Sequence, residues 1–74
     1  MNFGDRIKEL RSKNGITQTK LAQLLNITKS VVSYYERQER MPSPDVLMKL
    51  ASIFHVSVDD LMGIDKLKTS AHFS

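Results

Sequence analysis

Apolar residues in this chain recur at intervals of three and four, and no strand-like alternation runs to a useful length. That spacing restricts the chain to helices, and its punctuation keeps the helices short. Phe3, Ile7 and Leu10 form a first stripe that closes at Asn14-Gly15, a C-terminal stop. Ile16 leads into Thr17, an N-cap for a second helix through Leu25 with Leu21, Ala22 and Leu25 facing inward. Asn26 follows, and asparagine tolerates the left-handed conformation that turns a chain sharply. Thr28 caps a third helix running to about Arg37, with Val31, Val32 and Tyr35 turned inward.

Residues 38–42 break the pattern. Ser43-Pro44 restarts it, with serine as N-cap and proline at the first helical position, and Leu47, Leu50, Ala51 and Phe54 form the next stripe. Ser57-Val58-Asp59-Asp60 is a capping-box-like start in which aspartate replaces the usual glutamate. It opens a short fifth helix through Leu61 and Met62, stopped by Gly63. The expected fold is an all-α, compact five-helix bundle over residues 1–64. The remaining residues, 65–74, read as a flexible tail or the start of a linker.

A chain of 74 residues is one domain at most, burying about 60% of its unfolded surface. Without cysteine it has neither a disulfide framework nor a thiolate metal site, which allows a cytoplasmic location. No apolar run approaches the roughly 18 residues of a membrane span, and the first residues, MNFGDRIKEL, lack a signal-peptide core. Charge is divided along the chain. Residues 1–40 hold eight Lys/Arg against four Asp/Glu, whereas residues 41–65 hold only Lys49 against four aspartates. A basic first half suggests that one end of the molecule meets a polyanion.

The stretch QTKLAQLLNITKSVVSYYER, residues 18–37, carries the strongest signal. A helix-turn-helix needs a small residue where two helices cross, a left-handed-tolerant turn residue and apolar inner faces. Ala22, Asn26 and the set Leu21, Leu25, Ile27, Val32 and Tyr35 meet those needs within twenty residues. The chain resembles the Cro/phage-repressor (Xre-like) helix-turn-helix domains of bacterial and phage regulators, which have the lambda-repressor-like fold. The resemblance covers residues 3–63 in the blocks RIKELRSKNGITQ, KLAQLLNITKSVVSYYE, ERQERMPSP, DVLMKLASIFHVS and VDDLMG. Two departures stand out: Asn26 and Gln38 occupy positions where the family usually has glycine.

The resemblance implies base-reading roles for Lys29, Ser30 and Tyr34, with Ser33 and Arg37 at the margin. Helical spacing agrees, because these positions fall on or near the face opposite Val32 and Tyr35. Lysine donates to guanine O6 and N7, serine pairs with several base edges, and tyrosine suits a thymine methyl or a phosphate. Gln18 resembles the family's phosphate-clamping glutamine at a helix N-terminus. Thr28, Arg37 and Arg40 are further phosphate candidates, whereas Lys13 and Lys20 read equally well as solvated charges. Arg11 and Glu36 border the core and resemble an ion pair that orients the recognition helix.

Other chemistries find little support. His55 and His72 lack partners at metal-ligand spacing, Asp59-Asp60 reads as a charged first helical turn, and no phosphate loop or nucleophile signature occurs. No catalysis, metal, cofactor or small-molecule ligand is implied. The expectation is a sequence-specific regulator, a repressor that binds double-stranded DNA as a homodimer on an inverted repeat. Val58, Leu61, Met62 and Ile64 supply the apolar area for self-contact. An antitoxin that represses its own promoter and also binds a toxin is one alternative, and a protein-interaction module on the same fold without DNA reading is another. The polar, basic outer face of the third helix disfavours the module.

Overall fold

A computed structural model describes residues 2–63. Five helices follow in order: α1 (Phe3–Lys13), α2 (Gln18–Leu25), α3 (Lys29–Glu36), α4 (Pro44–Phe54) and α5 (Val58–Met62), with no strand among the described residues. Each begins on a side-chain cap. Thr17, Thr28, Ser43 and Ser57 present hydroxyl oxygens to the backbone N–H groups of Lys20, Val31, Val46 and Asp60. Asn2, for which the pattern made no provision, does the same for Asp5 at 2.8 Å.

The helices also end alike. At Gly15, Asn26, Gln38 and His55 the backbone turns left-handed, with φ between 56° and 64°. The next residue's N–H then reaches back to a carbonyl five residues earlier: Ile16 to Arg11 at 2.9 Å, Ile27 to Ala22 at 2.9 Å, Glu39 to Tyr34 at 2.8 Å and Val56 to Ala51 at 3.0 Å. These are Schellman closures, and three of the four dispense with glycine. Asn26 serves as its residue type predicts. Gln38 holds φ 60° directly after Arg37, so α3 ends at Glu36.

Repeated sharp endings fold short helices back on one another. α2 packs on α3, α3 on α1, α1 and α4 on α5, and α2 on α4. Their common core comprises Phe3, Ile7, Leu10, Leu21, Ala22, Leu25, Val32, Tyr35, Leu50, Phe54 and Leu61. On α4, Leu47 and Ala51 only lean against this core, so its buried stripe is narrower than the spacing suggests. Burying a Leu, Ile or Val fully contributes about 1.5–3 kcal/mol. Six such side chains are buried to that degree: Ile7, Leu21, Leu25, Val32, Leu50 and Leu61.

Two ties hold the first half of α1 in place. Gly4 lies so close to the end of α3 that a β-carbon there would overlap the Glu36 carbonyl oxygen and sit 2.9 Å from its carbon. The Gly4 N–H donates to the Gln38 side-chain carbonyl at 3.3 Å. Arg6 donates to Asp60 at 2.6 Å and also pairs with Glu9, joining α1 to α5. The hydrogen bond that Arg6 donates to Asp60 raises the Arg6 pKa above its ordinary value. Asp60 therefore completes an inter-helix bridge, beyond the capping-box position that its sequence context predicts.

Candidate nucleic-acid interface

Glu36, at the last turn of α3, is only 4% exposed and has three donors. Arg11 holds it with two parallel bonds, from Nε at 2.6 Å and Nη2 at 3.1 Å, while its Nη1 donates to the Ile16 carbonyl at 3.0 Å. The Arg11–Glu36 pair thus links α1, the entry to α2 and the end of α3. Gln18 completes the set, with Nε2 donating to Glu36 at 2.9 Å. One amide hydrogen and the side-chain oxygen of Gln18 remain available for an outside partner. Spacing placed Arg11 and Glu36 at the border of the core and the family resemblance paired them, but neither gave a sign that Gln18 shares the carboxylate. Spatial proximity across eighteen residues decides that.

The outer face of α3 and the start of α2 enclose an open concavity of about 380 Å³, lined by Gln18, Lys29, Ser30, Ser33, Tyr34 and Arg37. Its position follows from the inward anchoring of α3: with Val32 and Tyr35 in the core, Lys29 and Ser30 are exposed, and Ser33 and Tyr34 are half-buried at the groove wall. Arg37 and Arg40 both sit over the Tyr34 ring, their guanidinium carbons 5.3 and 5.2 Å from its centroid. Cation–π contacts of this kind restrain long side chains without discharging them. The sequence carries no period that would announce them, because they depend on the chain turning at Gln38.

Thr28 and Arg40 do not line the concavity. The Thr28 oxygen is engaged as the cap of α3, leaving its hydroxyl hydrogen to donate outward, and Arg40 reaches the site through Tyr34. Lys13 approaches Glu9 at 3.9 Å and Lys20 is exposed.

The candidate self-contact surface needs one correction. Leu61 is fully buried, packed among α1, α4 and α5, so it belongs to the intramolecular core and has no area to offer a partner. Val58 and Met62 are half-buried, and Ile64 lies outside the described residues, as do His72 and the tail expected at 65–74.

The geometry is that of two packed helices, α2 and α3, with Ala22 buried in the core and the second helix presenting a polar face. A helix-turn-helix family model matches residues 7–61. The chain belongs to the helix-turn-helix family. It is 45% identical over 67 residues to the transcriptional regulator ImmR of Bacillus subtilis, covering 90% of this chain and 53% of ImmR. The P22 c2 repressor, solved in complex with synthetic operator 9T, superposes with a TM-score of 0.82 at 29% identity, over 88% of this chain and 98% of that one. SinR of Bacillus subtilis, solved in complex with DNA, gives 0.72 at 35% identity, over 80% of this chain and 95% of that one. Membership among the Cro/phage-repressor (Xre-like) regulators is thereby shown: the domain is of the transcription-regulator type, with a lambda-repressor-like, DNA-binding fold. The chain spans just over half the length of the curated relatives ImmR and AnsR. No helix among the described residues is long and apolar enough to cross a membrane.

Proposed function

We propose that this chain is a sequence-specific repressor domain that acts in the cytoplasm. It places α3 in the major groove of an operator with inverted repeats, as one half of a homodimer. The observation that carries this reading is the shared concavity of Gln18, Lys29, Ser30, Ser33, Tyr34 and Arg37, which gathers donors of different reach on one rigid face. Lys29, Ser30, Ser33 and Tyr34 read base edges. Gln18, Thr28, Arg37 and Arg40 hold phosphates, and the Arg11–Glu36 pair fixes the angle of α3. That the P22 c2 repressor is solved with a synthetic operator and SinR with DNA supports DNA as the partner.

A dimer is favoured because one copy offers few free cations, and salt-dependent affinity grows with each phosphate neutralised. Two-fold symmetry doubles the contacts and reads half-sites roughly 34–36 Å apart. Val58 and Met62, four residues apart on α5 and half-buried, are the two of the candidate self-contact residues that keep some exposure among the described residues. Selection of genomic fragments on the purified protein, followed by sequencing, tests the reading. An enriched inverted repeat is expected, with two chains per site in analytical ultracentrifugation. No enrichment would favour the protein-interaction module, and one chain per site at saturation would remove the dimer.

A further inference from the structure

Glu39 lies beside the DNA-facing concavity and bears a charge that repels DNA. It is exposed, and its carboxylate accepts from the Arg37 Nη2 at 3.1 Å. Its place is fixed by backbone. The left-handed turn at Gln38 delivers the Glu39 N–H to the Tyr34 carbonyl at 2.8 Å, and the Gln38 side chain is itself held by Gly4. Arg37 and Arg40 both contact the Tyr34 ring, so two guanidiniums crowd one aromatic. Glu39 offsets their mutual repulsion and fastens Arg37. Glu36, the other carboxylate of this region, is buried under Arg11 and Gln18 and does not face outward.

As a contribution to stability such an exposed pair counts for little. Near a phosphate backbone its effect is different. The Debye length at physiological salt is about 8 Å, so the Glu39 charge acts on any phosphate that Arg37 could reach. On DNA of arbitrary sequence nearly all affinity comes from cations meeting phosphates. An anion that occupies one of those cations therefore weakens such binding in full. On the operator, base contacts add to the affinity, and they gain from an Arg37 that keeps the Tyr34 ring in place.

Resting on the DNA-reading function above, we propose that Glu39 is a positioning residue for selectivity. It restrains Arg37 over Tyr34 and opposes phosphate, lowering affinity for arbitrary DNA more than for the operator. The test compares wild type, Glu39→Gln and Glu39→Asp on the enriched repeat and on a shuffled duplex of the same composition, across a salt series. Glu39→Gln is expected to bind the shuffled duplex about two- to five-fold more tightly. Its salt dependence on that duplex should steepen, by up to about one unit per chain, as Arg37 engages phosphate more fully. Affinity for the repeat should rise less, so the selectivity ratio falls, and Glu39→Asp should restore it. An unchanged ratio with Glu39→Gln, or equal gains on both duplexes, overturns the role of Glu39 while leaving the DNA-reading function standing. A wild type that prefers neither duplex removes both.

Discussion

His55 holds φ 56° and ψ 44° to end α4, a conformation in which its β-carbon crowds the backbone, and its side chain is exposed. The left-handed region costs a non-glycine residue about 1–2 kcal/mol, partly offset by the lower chain entropy of the unfolded state compared with glycine. His55→Gly should therefore stabilise the domain by about 0.5–1 kcal/mol, read as a higher midpoint in chemical denaturation. A lower midpoint would mean that the imidazole makes a contact of its own. Gly4 gives the opposite sign. In most exposed helix positions Gly→Ala is favourable by about 0.5–1 kcal/mol. Here the added methyl would overlap the Glu36 carbonyl oxygen, a backbone atom that cannot swing aside. Gly4→Ala should cost about 1–3 kcal/mol in thermal or denaturant unfolding. A neutral result would show that α1 can pull away from α3.

At the scale of elements, the helix-turn-helix depends on close approach of α2 and α3, and Ala22, small and 4% exposed, is the residue expected at the crossing. Ala22→Leu should overpack the crossing and cost about 1–3 kcal/mol. An unchanged denaturation midpoint would place the closest approach elsewhere. The caps and apolar stripes were legible in the sequence because each depends on residues within one turn: Thr17, Thr28, Ser43 and Ser57 start helices where a hydroxyl reaches a nearby N–H. The family resemblance added the outer face of α3 and the Arg11–Glu36 pair. What remained illegible lies between elements. Asp60 reads locally as half of a capping box, yet it takes its partner Arg6 from the far end of the chain. Gln38 reads as a departure from glycine, yet its side chain binds Gly4. Leu61 reads as spare apolar surface, and it is buried because α1 and α4 both pack on α5. None of these follows from periodicity, since each needs the packed bundle to exist first.

For the whole molecule the question is whether a polar helix face reads DNA or merely holds it, and two side chains separate the possibilities. Lys29 is the first residue of α3 and lines the concavity, where a lysine amine can reach guanine O6 and N7. Arg40 stands off the helix and outside the concavity, connected to it by its contact with Tyr34. Lys29→Ala should cost about 1–3 kcal/mol on the enriched repeat and much less on a shuffled duplex, narrowing the gap between them. Arg40→Ala should weaken both duplexes alike and reduce the salt slope by about one unit per subunit. Tyr34 keeps its contact with Arg37 in that variant, so its ring stays supported when Arg40 is removed. Salt titrations of both variants against both duplexes provide the measurement. If Lys29→Ala weakens the two duplexes equally, Lys29 is a phosphate contact, and the reading face is rotated toward Ser33 and Tyr34. If neither variant changes binding, the concavity is a solvated surface, and the basic first half of the chain has some other partner.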